Sequence, residues 1–339
     1  MLRQHQDNSR QTWFLCVGAT ACLGVFFLAA PGLAAPAPLQ RARRMSDFEL
    51  AANLEAWQED TYEAWVERFG PPQEVVARLR RERKGETIFV ATKAGRRLPR
   101  QTPEGYSREN LTGWVERSLT NLEMEAVDLL QLHCPDPKVY DMPEVFGILD
   151  DLVAEGKVRH YGVSVETVDE AHRALRHPHV QTVQIIFNML RLKPAEELFA
   201  QAWNRHVGIL ARVPLASGLL TGKLSKASTF ARDDHRTFNR NGEAFDKGET
   251  FSGVPYDVGL EVVERLRPLV PPGATMSQLA LKWTLMFEAV SCAIPGAKTP
   301  QQARDNAAAA DLAPLSPATM AAVRDLYDER VRPLVHASW

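Results

Sequence analysis

From residue 86 onward one pattern recurs six times: a short apolar run, a polar or turn residue, then a helix with one apolar face. The apolar runs are Thr87 to Lys93, Val127 to His133, Val158 to Ser164, Val180 to Asn188, Val207 to Leu215 and Val290 to Ile294. The helix after the first is capped by Ser107 and turns Leu111, Val115, Leu119 and Leu122 inward. The second helix carries Val145, Leu149 and Leu152 and ends at Gly156. Further helices are expected over about Val168 to Leu175, Ala195 to Trp203, Val258 to Leu266, Ser277 to Phe287, from Thr299, and over Pro317 to Leu326. Near-continuous apolar strands separated by amphipathic helices imply a parallel sheet buried on both faces. An open doubly wound sheet and a (β/α)8 barrel both fit that alternation. The polar residues favour the barrel. Lys93, His133, Ser164, Asn188 and the Pro295-Gly296 turn fall at C-terminal strand ends, where barrels place their chemistry. No GxGxxG follows a strand, and Gly218 to Lys223 fails as a P-loop because the spacing is short and Leu224 stands where Ser or Thr is required. The expected fold class is therefore α/β, an incomplete TIM-type (β/α)8 barrel with six recognisable βα units.

The chain has 339 residues, 45% of them hydrophobic and 24% charged, enough for a large core. A net charge of -2, with no basic block beyond Arg41, Arg43 and Arg44, argues against a nucleic-acid partner. Cys16, Cys22, Cys134 and Cys292 make no metal-type pair, and the usage fits a reduced, cytoplasmic protein without structural disulfides. His160, His206 and His235 show no ligand spacing, so no metal is expected. Residues 1–44 are foreign to the rest. No charge occurs between Arg10 and Arg41, and residues 13–34 read as a signal peptide, as a membrane anchor, or as translated sequence upstream of a true start at Met45. Residues 45–74 read as helical, with Phe48, Leu50, Leu54 and Trp57 on one face, and residues 75–339 as the barrel domain. The stretch from Ser225 to Pro255 is a polar, glycine-bearing insertion, of the kind that shapes a pocket or lies loose on the surface.

The run from Val290 to Asn306 carries the clearest site signal. A strand breaks at Pro295-Gly296 and opens into a helix at Thr299, whose free N–H groups and dipole suit an anion. Lys298 adds a full charge, and Gln302 and Asn306 follow it at four-residue steps on one helix face, an arrangement that can follow a phosphate with a sugar and a base.

Taken together, Ala91-Thr92-Lys93, Asp128 to His133, Gly162-Val163-Ser164, Val183-Gln184 with Phe187-Asn188, Pro214 to Lys223 and Ile294 to Asn306 resemble the aldo-keto reductase family, in its order, from about Val75 to the C-terminus. The resemblance implies a (β/α)8 barrel that binds NADP(H) without a Rossmann domain and moves hydride between the nicotinamide and a carbonyl or alcohol. By that resemblance Lys93 and His133 are catalytic. Ser164 and Gln184 contact the nicotinamide amide, with Asn188 nearby, and Arg212 stands where many members stack an aromatic ring. Pro214, Leu215, Ser217 and Leu219 lie over the pyrophosphate. Gly296, Ala297 and Lys298 meet the 2′-phosphate, and Gln302 and Asn306 the adenosine. A lysine with no acid in that turn favours NADPH over NADH.

The sequence departs from the family in one place. The family's aspartate and tyrosine come from an Asp-Thr-Ala…Tyr-Gly pattern before the helix that precedes Lys93, and no such pattern is found. Asp60 and Tyr62 are close in sequence but sit in a helical pattern. Three readings stay open: a carbonyl reductase with an unrecognised proton donor, an inactive NADP-binding or interaction protein, and a truncated family member unable to close its barrel.

Overall fold

The computed structural model describes residues 72–86, 88–96, 98 and 100–339, and the backbone of Trp13–Val17 and Leu23–Phe27. The helical segment expected over 45–74 lies almost wholly outside the described residues, as do Asp60, Tyr62 and the Arg41 cluster. Six parallel strands form the sheet: β3 (Ile88–Ala94), β4 (Val127–His133), β5 (Val158–Ser164), β6 (Val180–Ile186), β7 (Gly208–Arg212) and β8 (Val290–Ile294). The sequence pattern offers no strand before residue 86, yet two short backbone strands lie there. β1 (Trp13–Val17) pairs parallel to β3, β2 (Leu23–Phe27) pairs antiparallel to β8, and the two pair with each other antiparallel, so the ring closes. An apolar run of that length serves a strand as readily as a membrane segment, and the short link between β1 and β2 is compatible only with antiparallel pairing. No helix among the described residues is long and apolar enough to cross a membrane.

Among the described residues the helices are α1 (Pro72–Glu82), α2 (Arg108–Leu122), α3 (Pro143–Ala154), α4 (Val168–Ala174), α5 (Lys193–Glu197), α6 (Phe199–Asn204), α7 (His235–Phe238), α8 (Tyr256–Leu266), α9 (Met276–Leu285), α10 (Pro300–Ala308), α11 (Pro317–Arg330) and α12 (Arg332–Val335). Their starts are set by side chains that accept orphan backbone N–H groups: Ser107 at α2, capping boxes Thr167–Glu170 at α4 and Thr275–Gln278 at α9, Thr299 at α10 and Ser316 at α11. α1 docks through Val75, Val76 and Ala77. Val76 joins Val90, Leu122 and Val127 in one small cluster, and Gln73 Nε2 donates to both Thr92 Oγ1 and Ser118 Oγ at 3.0 Å.

Strand alternation splits the core into two layers. Ala94, Leu130, Leu132, Val163, Val183, Ile185, Ile209 and Ala211 face the helices, within one large cluster that also holds Phe187, Phe199 and Trp283. Ala91, Leu129, Leu210 and Cys292 face one another inside the ring. The ring is tight enough at β5 to require glycine. A Cβ on Gly162 would sit 2.5 Å from the Thr182 carbonyl oxygen and 2.1 Å from its hydroxyl, beside a register shift between Tyr161 and Gly162. Gly162→Ala should therefore destabilise by about 3 kcal/mol or more, read as a lowered urea midpoint; an unchanged midpoint would mean that β5 and β6 are not packed this closely.

Candidate active site

The inner layer changes character toward the C-terminal strand ends. Lys93, Gln131, His133, Ser164, Gln184 and Arg212 share the parity of the apolar inner residues, and register sets them side by side. Lys93 pairs with Gln131, His133 with Ser164, Ser164 with Gln184, and Arg212 lies between Ile186 and Ile294. Gln131, His133, Ser164, Gln184 and Arg212 are all buried, and Lys93 is partly exposed. The structure thus brings five of the sequence-selected residues (Lys93, His133, Ser164, Gln184 and Arg212) into one ring of polar side chains.

Electrostatics then assigns protonation states. Burial, reinforced by the positive charges of Lys93, Arg96 and Arg212, holds His133 well below its ordinary pKa. It is a neutral imidazole at pH 7, able to donate one hydrogen bond but carrying no surplus proton. Burial pulls the Arg212 pKa down, and the neighbouring Glu249 carboxylate outweighs it and raises it. Its Nη1 bonds Glu249 Oε1 at 2.8 Å and its Nη2 donates to the Val165 carbonyl at 3.2 Å. Burial would likewise raise Glu249, and the Arg212 guanidinium overrides it and holds the carboxyl below its usual value. Cys134 follows His133 at φ +44 with its Sγ 3.5 Å from Ser164 Oγ. Burial pushes its thiol up, so it is no thiolate nucleophile.

The insertion supplies the part of the site that sequence patterns do not show. Glu249 belongs to it, and its backbone carbonyl accepts from Ser217 Oγ at 2.7 Å while Phe251 N donates to the same hydroxyl at 3.1 Å. Asn188 Nδ2 bonds both Val213 O (2.9 Å) and Ser252 Oγ (2.8 Å), so its amide ties two loops together. Arg236 Nη1 reaches Ser217 O at 3.5 Å, and His235 lies within electrostatic reach of Glu249 and Lys298. The loop after β7 is strained: Val213, Ala216 and Ser217 take positive φ, a costly choice for a β-branched valine. Pro214 is buried, Leu215 partly so, and Leu219 is a core residue packed on Gly259, so from this loop Leu219 offers a ligand only its backbone.

At the far side of the ring, Gly296 is open and Lys298 exposed at the start of α10. Gln302 Oε1 accepts from the Lys298 N–H at 2.7 Å, Thr299 caps the helix, and Asn306 Nδ2 donates to Gly296 O at 3.1 Å. Ala297 is partly buried between them. A buried acceptor in the ring, Gln184 Oε1, has no hydrogen-bond partner, as does Gln131 Oε1 beside Lys93. An amide N–H presented to the mouth would satisfy Gln184, so the ring fits a nicotinamide carboxamide, and the Lys298 turn fits a phosphate.

Among the described residues no tyrosine hydroxyl bonds Lys93 or His133. Tyr106 packs in the outer layer against Trp114, with its hydroxyl 3.4 Å from Gln101 Oε1, and Tyr140 donates to Ser164 O at 3.0 Å.

Comparison with known proteins settles the family. The aldo/keto reductase family model matches residues 60–328. An aldo-keto reductase of Strobilurus tenacellus is 30% identical over 272 residues, covering 78% of this chain and 76% of the relative. The solved glycerol dehydrogenase of Gluconobacter oxydans is 27% identical with a TM-score of 0.62, covering 78% of this chain and 79% of that one. A Klebsiella pneumoniae aldo-keto reductase solved with NADPH shares the fold, at 22% identity, TM-score 0.53 and 75% coverage of each chain. The chain belongs to the aldo-keto reductase family, oxidoreductases that reduce carbonyls with NADP(H). The match starts fifteen residues upstream of Val75 and so takes in Asp60 and Tyr62.

Glu166 at the end of β5 gives a stability test. Burial, then the charge of Asp246, raises its pKa from 4.5 to about 7, against the pull of Arg212. A raised carboxyl is neutral in folded and unfolded states below about 4.5, and the stability it retains there is lost as pH rises through about 7. Glu166→Gln should remove that loss. Its stability relative to the parent should rise between pH 5 and pH 8 by up to about 3 kcal/mol, measured as the difference in urea midpoints; parallel curves would refute the assignment.

Proposed function

We propose that this protein is an NADPH-dependent reductase of aldehydes or ketones, with Lys93 and His133 in the catalytic site. The observation that carries the reading is the inner ring at the C-terminal strand ends, where a cationic lysine and a neutral histidine stand beside an unsatisfied amide acceptor. NADPH, when bound, supplies the hydride. Everything else falls to the chain. The carbonyl oxygen gains negative charge as the hydride arrives, and an N–H from neutral His133 orients and stabilises it. Lys93 puts a positive charge beside that oxygen and would lower the pKa of a hydroxyl delivering the proton. Tyr62, brought within the family match, is the first donor to test. Ser164 and Gln184 hold the carboxamide. Pro214, Leu215, Ser217 and the Leu219 backbone follow the pyrophosphate under the insertion. Gly296, Ala297 and Lys298 take the 2′-phosphate, with Gln302 and Asn306 toward the adenosine. Arg212, held by Glu249, closes the nicotinamide side with its guanidinium plane.

The test is NADPH consumption with a permissive aromatic aldehyde. Lys93→Met should lower kcat by about 10²–10⁴-fold, the range for loss of acid–base assistance, and Tyr62→Phe should do likewise if it is the donor. Turnover untouched by Lys93→Met would overturn the site. Nucleotide binding without turnover in the parent protein would favour the inactive binding protein.

Cofactor choice is tested separately. Lys298→Ala should raise KM for NADPH about ten-fold, roughly one charge-assisted contact, and leave NADH within about two-fold. Equal losses for both nucleotides would mean that Lys298 does not read the 2′-phosphate.

A further inference from the structure

The insertion meets the barrel mouth through Glu249, Phe251 and Ser252, and Trp339 backs it from the other side. The indole Nε1 donates to Asp246 Oδ2 at 2.8 Å. The ring fills the space over two glycines of the insertion: a Cβ on Gly253 would lie 2.2 Å from ring atom Cη2, and one on Gly248 3.0 Å from Cε2. Gly253 also takes φ +75, so glycine is required there twice over. The Arg191 guanidinium stands 4.1 Å from the Trp339 ring centroid. Arg191 is only 2% exposed, and its Nη2 donates to the Glu166 carbonyl at 2.6 Å, just past the end of β5. Its Nε and Nη1 have no hydrogen-bond partner, and Asp246 Oδ1 is 3.9 Å away, so the indole face is a principal neighbour of a buried charge. A continuous chain of contacts results. Arg191 is fixed to the barrel, Trp339 is fixed to Arg191, the turn from Asp246 to Gly253 is fixed to Trp339, and that turn delivers Glu249 to Arg212 and Ser217.

We propose that Trp339 is a positioning residue for the nucleotide: by stapling residues 246–253 to Arg191, it holds Glu249 on Arg212 and Ser217 and keeps the insertion closed across the path of the bound nucleotide. This rests on the nucleotide site proposed above. Loss of the staple acts on how long the nucleotide stays, and the hydride-transfer groups Lys93 and His133 are untouched.

The experiment has two readouts on the full chain and on Trp339→Ala and Trp339→Phe. Hydrogen exchange of residues 245–253 in nucleotide-free protein reads the staple. NADPH titration and stopped-flow release read its consequence. Trp339→Ala should accelerate exchange in 245–253 with the strands unchanged. It should weaken NADPH about ten-fold, the change lying in release, with kcat at saturation within about two-fold. Trp339→Phe keeps the ring against Arg191 and loses the bond to Asp246, so it should fall between, and it carries the test should the alanine variant fold poorly. Unchanged exchange, or faster exchange with unchanged affinity and release, would overturn the proposal. Absence of NADPH binding in the parent protein, measured first, would instead overturn the functional reading, and the positioning role with it.

Discussion

A strand buried on both faces leaves each side chain two destinations, the helix layer or the barrel interior, and alternation decides between them. The rest of this molecule depends on that constraint. Ala91, Leu129, Leu210 and Cys292 make the interior apolar below. Two residues further along β3, β4 and β7 the same parity delivers Lys93, Gln131 and Arg212, while β4 goes on to His133 and β5 and β6 bring Ser164 and Gln184 beside it. Apart from the partly exposed Lys93, the polar groups placed there are buried away from bulk water, so each must be neutral, paired or left wanting a ligand. His133 takes the first course, Arg212 the second and Gln184 the third.

The second course makes the insertion part of the site. The buried charge of Arg212 is compensated because Glu249 arrives from 37 residues further along the chain. Removing one partner of such a pair leaves an uncompensated charge, which is far costlier than the pair itself is stabilising. The position where the family resemblance implies a ring against the nicotinamide is thus a guanidinium whose plane is fixed by a carboxylate, and the loop carrying that carboxylate is as much a component of the mouth as any strand end.

What was legible in the sequence follows from period and spacing. The six strands, the helix caps at Ser107 and Thr299, and the inward polar residues Lys93, His133 and Ser164 all announce themselves through local pattern, and each lies where that pattern puts it. The Arg212–Glu249 pair, the Asn188 tie between loops and the Trp339–Asp246 bond were not legible, because they join residues 25 to 93 positions apart through segments with no repeating pattern. Asn188 shows the difference well. Its place at a strand end marks it as polar and inward, but only the fold reveals that Val213, Leu190 and Ser252 already use its amide. β1 and β2 were illegible for another reason, since an uncharged apolar run carries no period that separates a strand from a spanning segment. The family match reaching residue 60 was not legible, because the helical spacing around Asp60 and Tyr62 carries none of the family's local pattern.

The junction between the insertion and the β7 loop stores strain on both sides. Val213, Ala216 and Ser217 on one side, Phe251 and Ser252 on the other, hold positive φ. Such conformations cost about 1–3 kcal/mol each and persist only where surrounding contacts fix them. Here the contacts are both apolar and polar: Ala216 and Phe251 are buried in the main core, with Phe251 against Phe230 and Tyr256, and the Ser217 hydroxyl, the Asn188 amide and the Arg212 ion pair tie the two loops. Opening the junction would relieve backbone strain as it breaks these bonds, so the closed state exceeds the open one by less than the bonds alone suggest. The parallel strands carry no such strain and are held by ladder and core. Strain is thus concentrated at the junction over the mouth, and the side chains that bridge the junction are what hold the two loops in these conformations.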